Sequence, residues 1–141
     1  MKSILRNLSP LLQGDPKSVL ILGPRQVGKS TLLRSLHPSI VVNLASEREF
    51  FRFSSEPGLL ETILEGMEKS EATTTRCRVL IDEIQRIPAL LNSVQFCLDE
   101  EKIAEKKDAK KSVLQFLLSG SSARKLKRGQ ANLAPGRLRI H

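Results

Sequence analysis

Four short, mostly apolar runs punctuate the chain: Val-Leu-Ile-Leu at 19–22, Ile-Val-Val-Asn-Leu at 40–44, Val-Leu-Ile at 79–81 and Val-Leu-Gln-Phe-Leu-Leu at 113–118. They are near-continuous rather than alternating, as expected of strands covered on both faces in a parallel sheet. Between them the period changes. Leu32, Leu33 and Leu36 follow the first run, Leu59, Leu60, Ile63, Leu64 and Met67 stripe residues 56–69, and Ile87, Leu90, Leu91, Val94 and Leu98 share a face further on. Spacing of three and four residues predicts helices with one buried side. Proline punctuates them: His37-Pro38 stops the first helix, Glu56-Pro57 suits a helix start and Pro88 a first turn. Ile84 to Pro88 reads as a loop, and the polar residues 70–76 as a surface connection. Phe50, Phe51 and Phe53 read as core or helix-packing residues, and the Lys- and Glu-rich stretch 99–111 as a solvated helix end and loop. Strand and helix alternating along a chain give an α/β fold, a parallel sheet with helices on both faces.

Residues 1–17 stand apart. Ile4, Leu5, Leu8, Leu11 and Leu12 have helical spacing, Pro10 ends that helix early, and Gln13-Gly14-Asp15-Pro16 is turn chemistry. The division is an N-terminal helical arm over 1–17, packed on the main domain of 18–141. At 141 residues one core suffices, and 27% charged with 40% hydrophobic residues is the balance of a soluble protein. No apolar run has membrane-spanning length and Met1-Lys2-Ser3-Ile4 leads into no signal core, so the expectation is a cytoplasmic protein without a membrane partner. Cys77 and Cys97 have no C-x-x-C or nearby histidine, as in a reducing compartment; neither they nor His37 and His141 form a metal site.

The chemistry is concentrated where the first run ends. Gly23-Pro24-Arg25-Gln26-Val27-Gly28-Lys29-Ser30 has the form G-x-x-x-x-G-K-[ST], with a strand before it and a helix from Thr31 after it. Glycines allow successive backbone N–H groups to face phosphate oxygens, and the helix start adds partial positive charge. Lys29 reaches the β- and γ-phosphates and the Ser30 hydroxyl is a hard ligand for Mg²⁺. Residues 23–31 are therefore the candidate nucleotide-binding set. The third run ends in Asp82-Glu83, at the carboxyl edge where open α/β sheets bind ligands. Asp82 is placed for Mg²⁺ and Glu83 to polarise water. Small hydroxyls at Ser119, Ser121 and Ser122 arrive at the same edge after the fourth run.

The net charge of +8 is compatible with an anionic partner and equally with a solvated face beside a nucleotide site. Arg124, Lys125, Lys127 and Arg128 concentrate it after the fourth run. That end is either a nucleic-acid face or a sensor of nucleotide and neighbouring subunit.

Three stretches together, Gly23 to Ser30, Asp82-Glu83-Ile84-Gln85-Arg86, and Ser119-Gly120-Ser121-Ser122-Ala123-Arg124-Lys125-Leu126, resemble the prokaryotic predicted ATPases of the AAA superfamily, AAA domain type 14. The resemblance runs from Ser18 to Arg137. It implies a sheet of order 5-1-4-3-2, Walker A at Gly23 to Ser30, Walker B at Asp82 and Glu83, and a polar sensor near Ser119 or Ser121. It also matches Arg137, after Pro135-Gly136, to the family's arginine. Members usually continue into a winged-helix-like region and a C-terminal domain. This chain thus resembles their N-terminal portion, truncated at its C-terminus, with no fifth strand recognisable before His141.

These readings converge on a P-loop domain that binds ATP with Mg²⁺ and hydrolyses it weakly as it stands, driving a further process. Catalysis falls to Glu83, Lys29, Ser119 and Arg137, and metal binding to Ser30 and Asp82. Adenine is preferred because no Asn-Lys-x-Asp stretch for guanine is present. Self-association through the arginine-bearing end would let Arg137 act on a neighbour. The alternatives are a nucleotide-gated switch without hydrolysis and a nucleic-acid-binding module.

Overall fold

The structure, a computed structural model, describes residues 18–24, 28–70, 77–107, 114–121 and 138–140. The N-terminal arm, the basic residues 124–128 and Arg137 lie outside the described residues. Strands β1 (Ser18–Leu22), β2 (Ile40–Asn43), β3 (Cys77–Asp82), β4 (Leu114–Gly120) and β5 (Leu138–Ile140) alternate with helices α1 (Lys29–Arg34), α2 (Glu47–Ser55), α3 (Leu59–Ser70) and α4 (Leu90–Lys107). All strand pairs are parallel and the sheet order is β2-β3-β4-β1-β5. That is the order 5-1-4-3-2 read from the other edge.

One expectation is overturned: the fifth strand is present. Leu138–Ile140 pairs with β1, Ser18 opposite Leu138 and Leu20 opposite Ile140. Its sequence, Leu-Arg-Ile, is too short and too interrupted to read as an apolar run, and as an edge strand it needs a partner on one side only. Other boundaries move by a few residues. The stripe expected from 56 becomes helical at Leu59, after Gly58 turns with φ 82°. Residues Ile84–Arg86 form a 3-10 turn rather than an irregular loop.

Strand pleating sorts the core into two layers. Val19, Ile21, Leu80 and Leu117 pack with Leu32 and Leu33 of α1 and with Leu36 just after it. Their neighbours Leu20, Val79, Ile81, Phe116 and Leu118 face the opposite layer with Phe53, Leu60, Leu64, Leu91 and Val94. Adjacent residues of β1, β3 and β4 thus serve opposite faces, the period-two rule for a sheet covered twice. Cys97 belongs to the second layer as a small buried hydrophobe. The phenylalanines divide: Phe53 is buried, but Phe51 is 63% exposed, contrary to its reading as a packing residue. A nine-residue helix shows only one side to the sheet, and Phe51 falls on the other. Phe116 has no exposed surface, so Phe116→Ala is expected to cost about 3–5 kcal/mol, read as a lowered denaturation midpoint with unchanged m-value.

β4 lies between β1 and β3. Its carboxyl end therefore separates the loop that follows β1 from the acids that end β3. Leu22 is level with Gly120, and Ile21 with Ser119. Ser119 and Gly120 can touch both neighbours, and this placement builds the site.

Candidate functional site

On the β1 side, Gly23 donates its N–H to Gly120 O at 3.1 Å, holding the start of the loop against β4. Gly28, at its end, has φ 87° and ψ 17° and is the residue before α1. A left-handed backbone there suits glycine and would strain a residue with a Cβ. Lys29 opens α1 and is only 5% exposed. Its ammonium donates to Gly23 O and, at 3.0 Å, to Gly120 O. A buried cation needs such acceptors, and these two place the charge at the mouth of the loop, between β1 and β4.

One residue on, the Ser30 hydroxyl lies 2.9 and 2.7 Å from the two carboxylate oxygens of Asp82. On its inner side Asp82 accepts a hydrogen bond from Ser119 Oγ. Ser119 is fully buried, and its oxygen also accepts the Glu83 N–H at 3.1 Å. A hydroxyl has one proton to give and lone pairs to receive, so both contacts are satisfied. Asp82 is thus fixed by a serine from each side, one in the first turn of α1 and one in β4.

At Glu83 the strand ends abruptly. The residue has φ 60° and ψ 48°, a left-handed conformation that costs a non-glycine residue about 1–2 kcal/mol. Its N–H bond to Ser119 and the Arg86 N–H donated to its carbonyl at 3.1 Å hold it there. The reversal sends consecutive carboxylates different ways. Asp82 meets Ser30 and Ser119, while the Glu83 carboxylate accepts from Gln85 Nε2 and, at 3.1 Å, from Ser121 Oγ. Strain of this kind accumulates where a side chain must be aimed.

Of the residues singled out from sequence, Gly23, Pro24, Gly28, Lys29, Ser30, Thr31, Asp82, Glu83, Ser119 and Ser121 are described. Lys29, Ser30, Asp82, Glu83 and Ser119 form one hydrogen-bonded assembly around the end of β4. Thr31 is exposed in the first turn of α1. Arg25, Gln26, Val27 and Arg137 lie outside the described residues. Leu138, which follows Arg137, starts β5 beside Ser18, at the sheet edge opposite the one that carries Gly23. Among the described residues no group of three His, Cys, Asp or Glu could hold a metal ion, and no helix is long and apolar enough to cross a membrane.

Two further residues belong to this region and were not marked as site residues. Gln85 joins Glu83 to Ser121. Arg86 donates to Leu44 O at 2.7 Å and to Glu47 at 2.9 Å, with its guanidinium 4.3 Å from the Phe50 ring centre. It clips the connection after β2 to the turn after β3. Only the position of both residues directly behind Asp82-Glu83 could have signalled them.

A family model for an AAA domain, AAA_14, matches residues 15–141. The chain belongs to this AAA domain family. Membership in a family of ATPases supports nucleotide binding. Among solved structures, the AAA domain is similar to C. elegans PCH-2, with 16% identity and a TM-score of 0.55 over 99% of this chain and 40% of that one. It is also similar to the Walker-type ATPase paby2304 of Pyrococcus abyssi, with 19% identity and a TM-score of 0.49, covering 98% and 52% of the two chains. The Aeropyrum pernix ORC2 protein, solved as ADPNP–ADP complexes, gives 14% and 0.46, covering 94% and 43%. The likeness to PCH-2 shows a shared fold. The AAA domain spans 40–52% of the length of these three chains. No curated protein matches it.

Proposed function

We propose that this AAA domain binds Mg·ATP at the loop after β1 and hydrolyses its β–γ phosphoanhydride. The observation that carries the reading is the joining of Lys29, Ser30, Asp82, Ser119 and Glu83 around the end of one strand, β4. The donor set fits the metal: a hydroxyl and a carboxylate, both hard oxygen groups, already stand within 3 Å of each other. Ser30 and Asp82 would hold Mg²⁺, which when bound neutralises charge on the phosphates. Lys29 exchanges its carbonyl partners for phosphate oxygens and stabilises charge developing there. Ser119 keeps Asp82 oriented. Glu83, aimed apart from Asp82 by its left-handed backbone, orients the attacking water and receives its proton.

Arg137 has a separate place in this proposal. The strand that follows it starts level with Ser18, and β1 rises about 17 Å from there to the loop. We assign Arg137 to the nucleotide of a neighbouring copy, as an arginine supplied in trans. Arg137→Ala is expected to abolish any rise of specific activity with protein concentration. Turnover that never depends on concentration would remove the neighbour from the account.

The test of hydrolysis is steady release of inorganic phosphate from ATP, above a boiled control and dependent on Mg²⁺. Nucleotide binding without release would favour the non-hydrolysing switch. Asp82→Ala is expected to reduce the Mg²⁺-dependent part of ATP affinity, by about 10-fold, while leaving metal-free binding within a factor of about two. Equal losses with and without Mg²⁺ would take Asp82 out of the metal site.

A further inference from the structure

Gln85 is only 6% exposed, although it lies in the short 3-10 turn after β3 and carries an amide. Its three polar contacts all lead to one place. Nε2 donates to Glu83 Oε2 and, at 2.8 Å, to Ser121 Oγ; Oε1 accepts the Ser121 N–H at 3.1 Å. The Ser121 hydroxyl in turn donates to the same Glu83 Oε2 at 3.1 Å. The amide orientation is dictated by chemistry, because only Nε2 can donate to a carboxylate and only Oε1 can receive an N–H. Both bonds to the carboxylate fall on Oε2, and Oε1 of Glu83 makes none with the described residues.

We infer that Gln85 is the positioning residue for Glu83, fixing Oε2 against the end of β4 so that Oε1 alone is presented to water. Without Gln85 the carboxylate keeps one donor, Ser121, whose own position is set in part by the bonds Gln85 makes to it. The contact also has a neighbour of consequence. Ser121 follows Gly120, whose carbonyl holds Lys29. The lysine and the glutamate are thus steadied by adjacent residues of one strand end, and Gln85 is the side chain that ties the glutamate to it. The inference rests on the hydrolytic reading above and assigns Gln85 no contact with nucleotide.

The variant that separates bonding from packing is Gln85→Met, which keeps length and volume and loses every polar contact. It is expected to bind Mg·ATP within twofold of the parent and to lower kcat about 10- to 100-fold, with KM little changed. In a Glu83→Gln background the same change should leave the residual rate where it was, because the group it acts through is already gone. Gln85→Met turning over at the parental rate would overturn the inference. So would an equal loss in the Glu83→Gln background, which would show an effect not exerted through Glu83. A readout without turnover runs beside it. The Gln85 side-chain amide should exchange slowly with solvent in the nucleotide-free protein, and Glu83→Ala should accelerate that exchange. Fast exchange in the parent would deny the contact itself. A parent chain that binds Mg·ATP without releasing phosphate would instead fail the hydrolytic reading, and the role of Gln85 with it.

Discussion

Lys29→Ala is expected to weaken Mg·ATP binding about 100-fold while the protein stays folded. The size follows from what the ammonium does. It is a buried cation held at the mouth of the loop by the carbonyls of Gly23 and Gly120. Exchanging those neutral acceptors for anionic phosphate oxygens adds charge attraction to bonds whose donor is already ionised; hydrogen bonds to charged groups are worth roughly 1.5–3 kcal/mol, and about 2.7 kcal/mol is a hundredfold in affinity. The structural cost is smaller. Gly120 O keeps the Gly23 N–H at 3.1 Å when the lysine is removed, and α1 remains anchored by its own Leu32 and Leu33 and by Leu36 just after it. Lys29→Met, which preserves the apolar stem, separates packing from charge: it should lose as much affinity as alanine with less change in melting temperature. Calorimetric affinities within threefold of the parent for both variants would remove Lys29 from the phosphate site.

Glu83→Gln is expected to lower the rate of phosphate release by about 10²- to 10⁴-fold, the range spanned by general acid–base groups, with Mg·ATP affinity unchanged. Glutamine has the shape of glutamate, and an amide oxygen can accept from Gln85 and Ser121 as the carboxylate does. What disappears is the negative charge proposed to polarise water. The side chain makes no contact with Lys29, Ser30 or Asp82 among the bonds described at the site, so binding should be spared. A variant that releases phosphate at the parental rate would move the base elsewhere. One that also loses nucleotide would make Glu83 a binding residue.

The parts of the fold legible in sequence were those with a strong local signature. β1, β3 and β4 are buried on both faces, so their apolar runs are continuous, and the stripe of α3 repeats at helical spacing. The loop from Gly23 to Ser30 stands out because its glycines, lysine and serine have the fixed spacing of the phosphate site proposed for it. β5 was missed for the opposite reason: Leu138–Ile140 is an edge strand whose identity comes from lying beside β1 rather than from its own pattern. Ser121 was marked as a hydroxyl at the sheet edge, but Gln85 was not, because the two meet only through the β3–β4 pairing, across thirty-six positions of sequence. Nothing in the local spacing of either residue announces that contact. The left-handed backbone of Glu83 was equally silent, since glutamate carries no propensity for it. Sequence placed the acids at a strand end; the reversal that gives their carboxylates different partners is a property of the fold.

The central claim, that the end of β4 gathers a Mg·nucleotide site, is tested most directly by titrating the chain with ATP by calorimetry, with Mg²⁺ and again with excess chelator. The account predicts saturable binding of a single nucleotide per chain, weakened when the metal is withdrawn and lost to near background in Lys29→Ala. Absence of saturable binding at millimolar Mg·ATP, or binding indifferent to both the metal and Lys29, would contradict it.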